Sequence, residues 1–339
     1  MKADPSSPAG LLPGHLHGSG LPRDGEGAED PAAPAIPRRG TDGPAPLSFA
    51  QQRLWFVQRM DPRSGAYNLP AALRLRGRLD TGVLERCLAE VVRRHEALRT
   101  VFAERDGEPT QTVLPPAPVS IAVADLRPLP PEARMADARR RAAEEALRPF
   151  DLGRGPLLRT SLLRLGAEEW VLLFTMHHVA SDGWSIGVLV DEVSALYDAF
   201  ARGAPSPLPE LPVQYADYAV WQRRRLAGAA LDAQLAFWRE RLRGAPPVLD
   251  LPTDRPRPAL PDERGGSHAF ELPDATARGV RALARAEGAT SFMVLAAVFQ
   301  ALLARWSGQQ DVSVGTPVAG RTRLETERLI GFFVNTLAL

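Results

Sequence analysis

Two adjacent histidines, His177 and His178, with Asp182 four residues after the second, are the residues of this chain best suited to chemistry. A neutral imidazole can accept a proton from an attacking amine or hydroxyl group. An aspartate beside it can orient the imidazole or pair with a buried arginine. Gly183 follows, and its backbone N–H, unobstructed by a side chain, could help to stabilise an oxyanion. The pattern therefore favours acid–base catalysis on a substrate's own nucleophile.

The flanking sequence predicts that these residues lie where a strand ends and a helix begins. Residues 170–174 are consecutive strand formers, typical of a strand buried on both faces. Because neighbouring side chains of a strand point to opposite faces, one histidine should face a cleft and the other should pack inward. Apolar residues then recur at spacings of three and four, typical of an amphipathic helix. These are Ile186, Leu189, Val193, Leu196, Tyr197 and Phe200.

Other chemistries fit the sequence less well. Adjacent histidines on opposite faces cannot easily share a metal ion, and no further set of ligands has metal-site spacing, so we predict no metal. Ser181 lies nearby, but no Gly-x-Ser-x-Gly elbow surrounds it. Lys2 is the only lysine, which excludes a lysine nucleophile, and the single cysteine, Cys87, has the apolar helical spacing of a core residue.

Charge and hydropathy predict a soluble protein. The 339 residues include 41 basic and 40 acidic side chains, so overall charge favours neither nucleic acid nor an anionic membrane as a partner. No run of about 18 apolar residues is present, and the N-terminus lacks the apolar stretch of a signal peptide. We therefore expect a cytoplasmic protein.

The order of patterns predicts an α/β chain with two successive lobes. We expect a disordered leader over residues 1–46, a first lobe over 47–205, and a linker with a partial second lobe over 206–339. The linker prediction depends on four prolines within residues 202–213. Three local features are also predicted: a capping box at Ser48 and Gln51, a hairpin around Asp106-Gly107 with a loop longer than the tightest type, and a strand near residues 268–272.

Five stretches, in order, resemble the core motifs of the condensation domains of nonribosomal peptide synthetases. They are residues 47–55, 94–102, 177–183 with the pattern HHxxxDG, 215–222 and 330–337. The HHxxxDG pattern also occurs in chloramphenicol acetyltransferase-like and wax-ester-forming acyltransferases, so the order of all five carries the resemblance. The subtype most similar to this chain joins two L-configured residues.

The resemblance implies two chloramphenicol acetyltransferase-like lobes that form a V with a tunnel between them. Upstream and downstream peptidyl carrier proteins would insert phosphopantetheine arms from opposite ends, beside an adjacent adenylation domain. The α-amine of the acceptor would attack the donor thioester and form a peptide bond. No cofactor would be bound by this domain itself.

The resemblance also implies roles for individual residues. His178 matches the catalytic position, as a base or as a group that orients the amine, with Gly183 beside it. His177 and Asp182 would be structural, and Asp182 would pair with the arginine of the second motif, which we take to be Arg99. The residues predicted to line the channel are Asn335, Trp184 and Ser185.

Two other functions stay open at this point. One is a stand-alone HHxxxDG acyltransferase that uses a CoA-type donor, and the other is an inactive truncated module that only docks carrier proteins. The sequence stops within or just after the fifth motif, and the later motifs of the family are absent. We therefore expect a truncated second lobe with an unpaired sheet edge and exposed apolar surface.

Overall fold

A computed structural model describes residues 2–3, 35–41, 43–256, 266 and 268–339. The helices are α1 (Phe49–Met60), α2 (Thr81–Arg94), α3 (Pro131–Leu147), α4 (Gly183–Phe200), α5 (Tyr215–Arg225), α6 (Ala229–Arg241), α7 (Asp274–Ala286), α8 (Ser291–Ser307) and α9 (Leu324–Glu327), with a 3₁₀ turn at Glu96–Arg99. The strands are β1 (Lys2–Ala3), β2 (Ala45–Pro46), β3 (Asn68–Arg76), β4 (Thr100–Arg105), β5 (Glu108–Val113), β6 (Ala122–Asp125), β7 (Leu158–Arg164), β8 (Glu169–His177), β9 (Gly315–Val318) and β10 (Asn335–Ala338).

The main sheet places β8 at its centre. The strand order is β1-β3-β8-β7-β6, antiparallel except for the parallel pair β6 and β7. Helices α2 and α4 contribute to the apolar cluster on one face of the sheet, and α3 contributes to the cluster on the other. Strand β8 is therefore buried on both faces, as its unbroken apolar run predicts. The strand ends at His177, so both histidines lie at the end of the central strand of the sheet.

A second sheet, β2-β5-β4, contains the predicted hairpin, but the loop length was wrong. Arg105 pairs with Glu108, so only Asp106 and Gly107 form the turn. Their φ angles are 52° and 80°, and a turn with two positive φ values matches the right-handed twist of the flanking strands. The Asp-Gly pair thus forms the tight turn that this dipeptide favours.

The chain forms two compact units whose boundary differs from the predicted one. Unit 1 comprises residues 1–227 and 319–335, and unit 2 comprises 228–318 and 336–339. The proline-rich stretch is part of unit 1, since Leu211 and Val213 are buried. Proline has no N–H to satisfy, and the carbonyls of this stretch accept hydrogen bonds from arginines of unit 1. Arg94 donates to Pro209, and Arg38 donates to the carbonyls of residues 211 and 212.

Ordered structure begins earlier than Pro46. The side chain of Ile36 is only 3% exposed, within an apolar cluster of unit 1. Arg39 donates its backbone N–H to Asp217 and forms an ion pair with Glu96. Residues 1, 4–34 and 42 of the predicted leader lie outside the described residues. Further along, the Ser48–Gln51 capping box is present at the start of α1.

Unit 2 contains α6, α7, α8, β9 and all of β10 except its first residue, Asn335. Strands β9 and β10 pair with each other in a two-stranded sheet. The strand predicted at 268–272 is absent, because no strand lies alongside this alternating segment among the described residues. Helix α8 exposes several large apolar side chains: Phe292, Met293, Val298 and Trp306. No single described helix is long and apolar enough to cross a membrane; α7 and α8 meet that criterion only together, with a 108° bend between them.

Candidate active site

His177 is buried and neutral at the end of β8. Its side chain is packed edge-on against Phe150, with ring centroids 5.7 Å apart, and the residue is 1% exposed. The Nδ1 atom accepts the backbone N–H of Val179 at 3.0 Å, so the proton of the neutral ring is on Nε2. Burial, with smaller contributions from His178 and Arg159, lowers the pKa of His177 to about 3. This imidazole stays uncharged at physiological pH and stabilises the turn.

His178 has the opposite tautomer. Its Nδ1 lies 2.8 Å from the carbonyl oxygen of Ser181, which can only accept, so Nδ1 carries the proton. In the neutral ring Nε2 then has a free lone pair, and no hydrogen-bond partner for it is found among the described residues. The ring also packs edge-on against Phe332, with centroids 4.6 Å apart. The side chain is half-buried, in contrast to that of His177. The geometry suits Nε2 to accept a proton from a substrate.

Among the described residues Asp182 forms no hydrogen bond with His177 or His178. Its carboxylate instead connects the loop between β8 and α4 to Arg321 and Phe333. As the N-cap of α4, its Oδ1 accepts the backbone N–H of Ser185 at 2.8 Å. The same oxygen forms a buried ion pair with Arg321 at 3.0 Å, while Oδ2 accepts the N–H of Phe333 at 3.1 Å. The Ser181 carbonyl, not this carboxylate, therefore holds the imidazole of His178.

The predicted pair between Arg99 and Asp182 was wrong. Arg99 ends the 3₁₀ turn that precedes β4, and its guanidinium donates to the carbonyls of Leu114 and Arg93. Arg321, 139 residues beyond Asp182, is the true partner, with a side chain only 1% exposed. Burial lowers the pKa of Arg321 below its ordinary value, and the attraction of Asp182 opposes that shift.

The second motif contributes a different buried cluster. Arg94 forms two hydrogen bonds with Glu192 of α4, at 3.0 and 3.1 Å. His95 places Nε2 3.0 Å from the same carboxylate, and its Nδ1 accepts the backbone N–H of Ile330 at 3.1 Å. Burial is the main reason that the pKa of His95 is lowered, so we assign it as neutral with the proton on Nε2. Sequence reasoning missed this cluster, and the only local signal was an Arg-His pair at the end of α2.

The remaining predicted residues fall in different surroundings. Gly183 is the first residue of α4 and is exposed, and a Cβ built there meets no atom within 4 Å. Trp184 is half-buried and donates to the carbonyl of Glu327 at 2.8 Å. Asn335 is exposed at the start of β10.

Ser185, which was predicted to line the channel, is fully buried. Its hydroxyl lies 2.7 Å from Asp182 and 3.1 Å from the backbone nitrogen of Gly331. A hydroxyl with these partners is not available to a substrate. Ser185 therefore helps to hold the loop together, and the channel prediction for this residue was wrong.

Four motifs that are distant in the sequence meet around the loop. Tyr215, from the fourth motif, places its hydroxyl 2.9 Å from Ser48 of the first motif. The same hydroxyl donates to the carbonyl of Phe332, from the fifth motif, at 2.5 Å. The ring of Phe332 in turn contacts His178 of the third motif. Among the described residues no cluster of three or more histidine, cysteine or acidic side chains forms a set of metal ligands.

Comparison with known proteins places this arrangement in a family. A family model of the condensation domain matches residues 42–339. The chain is 51% identical to one of the linear gramicidin synthase proteins of Brevibacillus parabrevis over 304 residues, which are 90% of this chain and 4% of that protein. The chain thus spans a small fraction of the length of this relative.

Solved structures agree with that match. The X-domain from teicoplanin biosynthesis superposes with a TM-score of 0.79 at 32% identity, over 90% of this chain and 67% of that one. The first condensation domain of the CDA synthetase superposes with a TM-score of 0.71 at 26% identity, over 88% of this chain and 71% of that one. The mixed helix and sheet fold predicted from the sequence is confirmed by these similarities.

Proposed function

The chain belongs to the condensation domain family, and we propose that it forms peptide bonds between two substrates carried as thioesters on phosphopantetheinyl carrier proteins. The donor is an aminoacyl or peptidyl thioester, and the acceptor presents the α-amine of an aminoacyl thioester. The observation that carries the proposal is the tautomer of His178. Its Nδ1–H is committed to Ser181, which leaves Nε2 with a lone pair at the end of a rigid buried strand.

The residues of the loop have distinct roles in the proposed reaction. The acceptor nitrogen forms a bond to the donor carbonyl carbon while Nε2 of His178 accepts or orients its proton. The first turn of α4 begins at Gly183, and its N–H groups have no partners within the helix. One of them can stabilise the oxyanion of the tetrahedral intermediate. Collapse of that intermediate breaks the carbon–sulfur bond and releases the thiol of the donor arm after protonation.

Partners and location are part of the same proposal. Carrier proteins upstream and downstream, together with an adenylation domain that loads them, would supply the thioesters, and no cofactor would be bound by this domain itself. The cytoplasmic location predicted from the sequence is retained as part of the proposal.

The test is a transfer assay with two separately loaded carrier proteins. A panel of aminoacyl donor carriers and a panel of aminoacyl acceptor carriers are mixed with the 339-residue chain, and intact-protein mass spectrometry detects the dipeptidyl acceptor. We expect that product. Transfer only from an aminoacyl-CoA donor would instead support the stand-alone acyltransferase. Carrier binding without any product, from chain whose fold is verified by circular dichroism, would support the docking module.

Gly183 offers a separate prediction about how closely the substrate approaches. The Gly183→Ala variant should retain full stability, since the added Cβ has free space and alanine favours a helix over glycine by about 0.5–1 kcal/mol. Its rate of condensation should fall about tenfold or more, because the methyl group would then contact only the substrate. Paired melting curves and transfer rates measure both effects. Gly187→Ala in the same helix, also without a neighbour within 4 Å, is the control and should keep its rate. An unchanged rate in Gly183→Ala would exclude close approach at this residue.

A further inference from the structure

Residues 330–333 form a short segment of unit 1. Buried side chains of the same unit form hydrogen bonds with its backbone at each of the four residues. Each of its four residues has a backbone group in contact with one of them. The contacts are Ile330 N–H to His95 Nδ1 (3.1 Å), Gly331 N–H to Ser185 Oγ (3.1 Å), Phe332 C=O to the Tyr215 hydroxyl (2.5 Å) and Phe333 N–H to Asp182 Oδ2 (3.1 Å). Buried hydrogen bonds are costly to leave unmade, so this segment is rigid in the folded chain.

The rigid segment places one aromatic ring against the imidazole of His178. Phe332 is 3% exposed, and its ring lies edge-on to that imidazole with centroids 4.6 Å apart and planes at 60°. Rotation of the imidazole about its Cβ–Cγ bond would swing Nδ1 away from the Ser181 carbonyl, which lies 2.8 Å from it. The ring of Phe332 occupies space on one side of that rotation. It therefore limits rotation away from the orientation in which Nδ1 donates to Ser181 and Nε2 is left with its lone pair.

We propose that Phe332 is a positioning residue for His178, and that the hydrogen bond from the Tyr215 hydroxyl to the Phe332 carbonyl fixes the position of Phe332. This inference rests on the proposed function for its kinetic consequences, but its structural claim concerns the tautomer alone. Two independent contacts determine the tautomer and the orientation of the imidazole. The Ser181 carbonyl selects the protonated nitrogen, and the Phe332 ring limits rotation about the Cβ–Cγ bond.

Tyr215 is suited to this role because its hydroxyl joins two elements. The hydroxyl donates to the Phe332 carbonyl and lies 2.9 Å from Ser48, which precedes α1. A Tyr215→Phe substitution removes this bridge and leaves the ring, which packs against Phe333 with centroids 5.0 Å apart. Tyr218 is the matched control, since its ring also packs against Phe333 but its hydroxyl bonds to Gln222.

Nitrogen-15 NMR of the imidazoles tests the structural claim without any activity. Three of the six histidines lie among the described residues of unit 1. Of these three, His177 and His95 accept at Nδ1, and only His178 donates from it. The imidazole signals of His178 are assigned as those that disappear in His178→Gln, and in the wild-type chain at pH 8 they should be those of the Nδ1–H tautomer. In Phe332→Leu, which keeps an apolar side chain in the buried site, this tautomer should give way to a mixture of both tautomers.

Kinetics with loaded carriers test the consequence. We expect kcat to fall about tenfold to 100-fold in Phe332→Leu, with KM within twofold of wild type, because binding is intact and the reactive nitrogen is misplaced. The kcat of Tyr215→Phe should be lower than that of wild type by a factor of about ten or less, and the kcat of Tyr218→Phe should equal that of wild type. An undisturbed Nδ1–H signal in Phe332→Leu, or equal losses in the two tyrosine variants, would overturn the inference. Absence of amide product from the wild-type chain would count against the proposed function only, since the tautomer result is read separately.

Discussion

The His178→Ala variant should lose at least about 100-fold in the rate of dipeptide formation while its melting temperature changes by no more than a few degrees. The large kinetic effect follows from the loss of Nε2, the only ring nitrogen of His178 that is not committed to the protein. The small thermal effect follows from its position, because the half-buried ring contributes one hydrogen bond, to Ser181, and one contact, to Phe332. Single-turnover transfer between loaded carriers and differential scanning calorimetry measure the two effects.

The neighbouring histidine provides the control. His177 is buried against Phe150, and a substitution to alanine should leave a cavity in the core and lower stability by about 2–4 kcal/mol. His177→Ala should therefore melt earlier than His178→Ala, and any loss of rate should be matched by a loss of folded protein. If His178→Ala retained more than a tenth of the wild-type rate, the imidazole would be neither the base nor an essential orienting group.

The part of the site that the sequence predicted best is the part governed by local rules. Strand alternation separates His177 from His178, and the structure places the first in the core and leaves the second half-exposed. A capping box at Ser48 and Gln51 needs only residues three apart, and it is present at α1. Features of this kind depend on φ and ψ angles and on neighbouring side chains, so a short window of sequence contains the information.

Local sequence patterns could not predict which side chains pair when the two residues are distant in the sequence. Nearly all of the 41 basic residues are arginines, and nothing local distinguishes Arg321 as the partner of Asp182. Arg99 was chosen because it lies in a recognised motif, but its guanidinium donates to the backbone carbonyls of Leu114, just after β5, and of Arg93, in α2. Only the folded chain shows that residues 319–335 return to unit 1.

The linker predicted at the prolines of residues 202–213 differs from the observed boundary for a related physical reason. Four prolines between residues 202 and 213 resemble a linker, yet proline-rich chain can also lie along a folded surface when donors are present for its carbonyls. Arg38 and Arg94 supply those donors, and Leu211 and Val213 fill apolar space. The composition of a segment predicts its backbone preferences but not what packs against it.

The Asp182→Ala variant should be destabilised by about 3–5 kcal/mol, the effect of leaving a buried Arg321 without its counter-charge. Loss of the N-cap of α4 adds about 1 kcal/mol. Urea unfolding followed by circular dichroism gives the free energy of unfolding. Where the alanine variant does not fold, Asp182→Asn can be measured, since the amide oxygen retains an acceptor for Ser185, while the charge and the acceptor for the N–H of Phe333 are lost.

A double-mutant cycle decides which arginine is coupled to Asp182. Combined with Arg321→Leu, the Asp182→Asn substitution should show a coupling of more than about 1 kcal/mol, because each change removes one side of the same buried ion pair. Combined with Arg99→Leu, the two losses should add to within about 0.5 kcal/mol, since Arg99 and Asp182 have no hydrogen-bond partner in common. Strong coupling to Arg99 and additivity with Arg321 would contradict the arrangement and return the role to the second motif. The expected result would show that residues 319–335 stabilise the loop that carries His178 through Arg321.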